Sequence, residues 1–415
     1  MRIAIVGGGV SGLVAAHLLH REHELTLFEA GAKVGGHTNT IRVDTSDQTH
    51  YVDTGFMVFN DHSYPNFERL LRRLGVASQP SQMSFGVSDG HGRFEYSSTN
   101  PNGLFATRSH IVSPRFHRML ADVRRFQRLA RELLLQERDD PSLGEWLERG
   151  RFSRHFIDRL IVPQVSAVWS ADPRQVWGFP ARFLFKFFDN HGVLHLRGRP
   201  KWRTITSGSD RYVDALTVPF RHRIRTGVPV EAIHRGDGHV AVTPRGAEAE
   251  HFDHVILAVH SDQALRMLAD ATQREHEILG AIPYQRNEAV LHTDERLLPH
   301  RRRAWASWNY HLAAELQGTT RVTYHMNRLQ SLRADREFCV TLNRTEAIDP
   351  SKVIKTIEYD HPVYTSPAAL AQKRHAEISG PGRTHFCGAY WGWGFHEDGV
   401  VSALRACEPL GGRLA

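Results

Sequence analysis

Arg2-Ile3-Ala4-Ile5-Val6-Gly7-Gly8-Gly9-Val10-Ser11-Gly12-Leu13-Val14 is an apolar run broken by glycines at G-x-G-x-x-G spacing, and its reading decides the fold. Arg2 to Val6 reads as a short buried strand, Ser11 to Leu19 as a helix and Leu25 to Glu29 as a second strand, together one βαβ unit. Each glycine has a task. Gly7 permits the tight turn, Gly9 lets the backbone approach a pyrophosphate, and Gly12 allows helix and strand to pack closely, while the helix N-terminus offers free N–H groups to the anion. Glu29 closes the second strand, where a carboxylate accepts ribose hydroxyls and repels a 2′-phosphate, so NADP is not expected. One positive charge followed by apolar residues also describes a signal peptide, but the glycines interrupt Ile3 to Leu19 at turn-and-helix spacing. Nowhere do about 18 consecutive apolar residues occur, so the expectation is a cytoplasmic protein that is soluble or peripheral at the inner face of the membrane.

Composition bounds the rest. A chain of 415 residues with 41% hydrophobic content suits two domains better than one core. The net charge of +7 points to an acidic partner, although only six of the 52 basic residues are lysine. Cys339, Cys387 and Cys407 are odd in number and form no C-x-x-C pair, which argues against a disulfide framework or a metal site and for a reducing compartment. Ser113 to Arg138 carries apolar residues at helical spacing with an arginine-rich opposite face, an amphipathic surface helix. Val228 to His234, His239 to Pro244 and His254 to Ala258 read as three strands of one β-meander.

Six segments in order resemble the flavin-containing amine oxidase and phytoene desaturase superfamily. They are Glu29-Ala30-Gly31-Ala32-Lys33-Val34-Gly35-Gly36-His37-Thr38, Val52-Asp53-Thr54-Gly55-Phe56, Ile205-Thr206-Ser207-Gly208-Ser209-Asp210-Arg211-Tyr212-Val213, Val228-Pro229-Val230, Phe386-Cys387-Gly388-Ala389, and Glu397-Asp398-Gly399-Val400-Val401-Ser402-Ala403. The resemblance is closest to a bacterial subgroup associated with fatty-acid-modifying methyltransferases. It implies FAD as cofactor, with Gly7, Gly9, Gly12, Glu29, Gly35, Gly36, Thr38, Gly55, Phe56, Val230, Gly388, Asp398, Gly399 and Val400 around it. His37 stands where the family has arginine, and Arg42 is the expected substitute. Gly399 is expected to let the chain approach the flavin ring.

Tyr390, Trp393, Phe395 and His396 lie where the resemblance places groups before the flavin, and His396 is the candidate proton-handling side chain. His325 and Asn327, on a segment that reads as a strand, face one side by its period of two. Trp308, Asn309 and Tyr310 offer a further wall. No lysine sits in the family context that would hold water near the flavin, which weighs against a simple amine oxidase, and Cys387 reads as a buried apolar thiol. His300-Arg301-Arg302-Arg303 with Trp305 and Trp308 is the expected contact with an anionic membrane surface. Nucleic acid is not expected, since no stacking module or helix-turn-helix is present.

The fold expected is α/β: a Rossmann-like FAD-binding domain of the glutathione-reductase type, discontinuous over 1–62, 203–270 and 383–415. An inserted α+β substrate domain covers 63–202 and 271–382. The expected activity is dehydrogenation of a hydrophobic substrate, a fatty acyl or isoprenoid chain, by hydride transfer to the flavin, with oxygen, a quinone or a protein as acceptor. An amine oxidase and a non-catalytic flavin-binding subunit of a lipid-modifying complex are the alternatives.

Overall fold

The computed structural model describes residues 1–46, 48–136, 140–195, 198, 200–312 and 318–414. Its first layer is a parallel sheet of five strands in the order Ile224–Thr226, Glu24–Glu29, Arg2–Val6, His254–Leu257, Thr384–Phe386. The period of two explains how Arg2–Val6 is buried on both faces. Ile3 and Ile5 pack with Leu13, Val14 and Ala403 of the helices Val10–Leu19 and His396–Cys407. Ala4 and Val6 turn to the other side, against Val230, Ile233, Val240 and Phe252 of a small antiparallel sheet. This is the Rossmann-like layer expected, assembled from stretches far apart in the chain.

The meander is corrected in one strand. Val230–Arg235 and Val240–Pro244 pair as expected, but their third partner is Glu250–Phe252. His254–Leu257 instead joins the parallel sheet beside Arg2–Val6. Its fully buried Val255, Ile256 and Leu257 explain why. An apolar run on both faces suits a central parallel strand, whereas a meander with one wet face alternates.

The second layer is a seven-stranded sheet in the order Val353–Pro362, Tyr284–His292, Cys339–Leu342, Val322–His325, Trp308–His311, Phe85–Ser88, Glu95–Ser97. Helices including Pro114–Leu135, Val162–Trp169 and Ala181–Asn190 share an aromatic-rich core with it, in which Phe126, Phe156, Phe185 and Phe188 are nearly or fully buried. Pro114–Leu135 begins where Ser113 caps it by accepting from the Phe116 N–H. The expected end of this helix at Arg138 lies outside the described residues.

Two expectations about this layer are corrected. The strand holding His325 ends there, and Asn327 lies in the helical turn Met326–Leu329. The Asn327 amide donates to the Arg336 carbonyl and its oxygen accepts from the Phe338 N–H, while His325 Nε2 lies 2.6 Å from the Glu337 carboxylate. Both residues hold a loop. The basic stretch is only partly free: Arg301 pairs with buried Glu95 at 2.9 Å, and Trp305 is buried with its indole N–H donating to the Pro299 carbonyl, while Arg302 and Arg303 remain exposed. A buried indole cannot anchor at a lipid headgroup, so this aromatic-basic patch does not form as expected.

Candidate functional site

A cavity of about 1740 Å³ runs from the glycine-rich turn to the space beneath the seven-stranded sheet. That exceeds the ~300–1,000 Å³ of ordinary small-molecule pockets, leaving room for a large cofactor and a substrate.

At one end, Gly7 adopts φ +103° and its N–H donates to the Phe28 carbonyl. A β-carbon on Gly12 would stand 1.9 Å from the Gly7 carbonyl oxygen, so the helix sits this close only because Gly12 has none. A β-carbon on Gly9 would meet no protein atom within 4 Å, since that position faces the cavity. The Gly35 N–H donates to the Gly8 carbonyl, pinning the second glycine pair beneath the first turn. The Glu29 carboxylate accepts from the Gly8 N–H with one oxygen and from the Gly31 N–H with the other, both at 2.7 Å. Each oxygen keeps a lone pair for a ribose hydroxyl. Val230 lines the same end, and Gly55, Phe56 and Gly388 continue the wall. An open glycine turn at a helix N-terminus, a fixed acid and an elongated cleft fit FAD.

His37 lines the cavity, stacked on Tyr359 with ring centres 4.8 Å apart and with His361 at 5.3 Å and His260 at 6.4 Å. Burial, then the neighbouring His361 and His260, hold its pKa well below the ordinary value. Arg42 does not replace the family's arginine: it is exposed on a hairpin, paired with Asp44 and away from the cavity.

Several candidates turn out to support the cavity wall. Thr38 is fully buried and shares hydrogen bonds with the Tyr212 hydroxyl and His396 Nε2. Asp398 accepts from the Phe395 N–H at the start of helix His396–Cys407, and low-dielectric surroundings push its pKa up to about 7. Gly399 does not line the cavity. A β-carbon there would strike Val10 at 2.6 Å, and its carbonyl accepts from the Ser11 hydroxyl, so this glycine brings the last helix against the first. Val400 is core.

His396 lines the cavity with its ring stacked on Phe56 at 3.6 Å and Nε2 engaged by Thr38 and Tyr212. Burial lowers its pKa to about 3. Through Nε2 this imidazole ties the last helix to Thr38 and Tyr212. Tyr390, Trp393 and Phe395 line the cavity, and the Trp393 carbonyl accepts from the Trp169 indole.

Sequence reading missed His191, which ends the helix Ala181–Asn190. Its ring stacks on Phe187 at 3.9 Å beside Phe395 and Trp202. Nδ1 lies 2.9 Å from the Phe187 carbonyl, which only accepts, so Nδ1 carries the proton. Nε2 is left as a buried acceptor without a partner, in a ring that lines the cavity. Burial lowers this pKa to about 4. No motif marks His191, because aromatic neighbours from four separate stretches, Tyr64, Phe187, Trp202 and Phe395, create its surroundings. Trp308 also lines the cavity, whereas Asn309 is occupied by backbone groups. None of the six lysines lines it.

The model of the family described as flavin containing amine oxidoreductase matches residues 10–329. The chain is 26% identical over 308 residues to the flavin-dependent L-tryptophan oxidase RebO of Lentzea aerocolonigenes, covering 67% of this chain and 60% of that one. It is 26% identical over 290 residues to the carotenoid phi-ring synthase of Streptomyces griseus, covering 64% and 54%. The chain thus spans less than two thirds of either relative's length. The fold superposes on the CLA-producing fatty acid isomerase from P. acnes with a TM-score of 0.70 at 17% identity, over 98% of both chains. With the glycine turn, Glu29 and the family match in agreement, this chain belongs to the flavin containing amine oxidoreductase family, and its nucleotide end fits FAD.

Proposed function

We propose that the chain dehydrogenates a long apolar substrate, a fatty acyl or isoprenoid group. The observation that carries this reading is the lining of the cavity beyond the cofactor end. Met57, Met83, Phe85, Leu120, Val123 and Leu160 supply apolar wall, and its described residues there include no lysine or arginine to hold an amino-acid carboxylate. The names of the carotenoid ring synthase and the fatty acid isomerase point to long apolar molecules and support it. The family name and the tryptophan oxidase support the second reading, amine oxidation.

When bound, FAD supplies the hydride acceptor. The chain's part is to orient the substrate and exclude water. Trp393 and Phe395 supply aromatic wall against which an alkyl or polyene segment lies. His191 Nε2, neutral above about pH 4, takes the proton released beside the transferred hydride. His396 holds Phe56 and Thr38 in place.

Anaerobic mixing of the FAD-loaded protein with detergent-dispersed fatty acyl esters, isoprenoids and primary amines tests the reading. Bleaching of the flavin band by an apolar chain, without any added subunit, is expected. Bleaching by amines alone establishes the second reading, and no bleaching except in the presence of a partner protein makes this chain an accessory subunit.

A further inference from the structure

From residue 96 to 121 the chain has no Asp or Glu, yet it carries Arg108, Arg115 and Arg118. Midway along this stretch the turn Arg108–Val112 lifts two apolar side chains into solvent: Ile111 is 51% exposed and Val112 79%. Single exposed apolar side chains are ordinary, but two adjacent ones among cations at a cavity mouth match a bilayer with anionic headgroups.

The turn stands at a mouth of the cavity. Asn100 and Pro101 line the cavity and are exposed, so it reaches the surface at the short helix Pro101–Leu104. Arg108 ties the turn to that rim, donating to the Asn102 side chain at 2.7 Å and to the Phe105 carbonyl at 3.1 Å. His117 lies 2.7 Å from the Ile111 carbonyl and steadies the other side. Arg303 donates to the Ala106 carbonyl, which brings a further exposed cation to the root of the turn. From the turn the helix Pro114–Leu135 leads inward, and its Met119, Leu120 and Val123 are cavity wall.

We infer that Ile111 and Val112, with Arg108, Arg115, Arg118 and Arg303 around them, dock this face on an anionic lipid bilayer. The mouth at Asn100 and Pro101 is then held at the headgroup level. An apolar chain passes from the bilayer into the cavity without crossing water, and this route, though not the docking itself, rests on the function proposed above. The surface differs from the Trp305 patch expected from sequence: the apolar anchors are Ile111 and Val112, and Arg303 is shared.

Co-sedimentation of the FAD-loaded protein with vesicles tests the inference, using phosphatidylcholine alone or mixed with phosphatidylglycerol. Binding is expected to the mixed vesicles only, weakening with salt. Ile111→Asp with Val112→Asp should abolish it, and Arg108→Glu with Arg115→Glu should lower partitioning by roughly tenfold or more. Both variants should keep wild-type FAD content and flavin reduction by detergent-dispersed substrate, because these side chains are outside the cavity. Equal binding to both vesicle types, or variants that sediment like the wild type, overturns the inference. So does lipid-free self-association that the same substitutions remove, which would make this face an interface between copies. If the wild type binds anionic vesicles but no apolar chain reduces its flavin, the function reading fails and the docking surface stands.

Discussion

The imidazole Nε2 of His396 lies 2.9 Å from the hydroxyl oxygen of Thr38, joining the last helix to the segment that follows the second glycine pair. Tyr212 closes the triangle at 2.6 Å from Thr38 and 3.1 Å from His396. His396→Ala leaves the Thr38–Tyr212 hydroxyl pair short of its third partner and removes the ring beneath Phe56, at a cost of about 1–3 kcal/mol in stability. FAD content of the purified variant, read from its visible absorbance, should fall with it. Flavin reduction per bound FAD should keep the wild-type pH profile, and a profile that loses a limb would show His396 handling a proton after all.

Acid should destabilise the apoprotein in a defined window. Burial lowers the pKa of His396 to about 3 and that of His191 to about 4, and burial with the neighbouring His260 lowers His361 to about 4. Unfolded histidines take up protons below about pH 6.5, while these folded ones stay neutral, so stability falls as pH drops from there toward 4. Each contributes about 1.4 kcal/mol per pH unit within the window. Melting temperatures measured between pH 8 and 4.5 should decline with a slope that His396→Gln reduces; an unchanged slope would mean that His396 does not contribute.

The two glycines of the turn should fail in different ways. Gly12→Ala places a methyl group 1.9 Å from the Gly7 oxygen and should leave little folded protein. Gly9→Ala meets no protein atom, so the chain should fold with wild-type circular dichroism yet bind FAD weakly, because the methyl group enters the space left for the pyrophosphate. Full FAD occupancy in Gly9→Ala would place the cofactor elsewhere in the cavity.

His191 should set the acid limb of flavin reduction. Its free Nε2 is a base only when unprotonated, so the rate should fall as pH drops through about 4 and stay level above it. His191→Phe keeps the stack on Phe187 and loses the acceptor. Stopped-flow reduction normalised to bound FAD should slow by about 10²-fold or more, the lower end of what a positioned general base supplies. Wild-type rates in this variant would assign proton removal to water.

The nucleotide end of the site was legible in the primary structure because its determinants are local. A strand, a glycine turn, a helix and an acid within thirty residues create their geometry through nearest-neighbour sterics and one helix N-terminus. The tight turn at Gly7 and the close packing at Gly12 follow from that local geometry, and the family segments carried the parallel layer and the cofactor. Tertiary structure decided the rest, because burial and partner choice depend on residues far apart in the chain. Thr38 and Tyr212 met the Nε2 of His396, and Gly399 faced a helix through Val10 and Ser11. His254–Leu257 left the meander for the sheet that could cover both its faces. Trp305 went into the interior while Ile111 and Val112 came out. The bare nitrogen of His191 exists only because the Phe187 carbonyl claims the other one and no donor of the surrounding rings pairs with it.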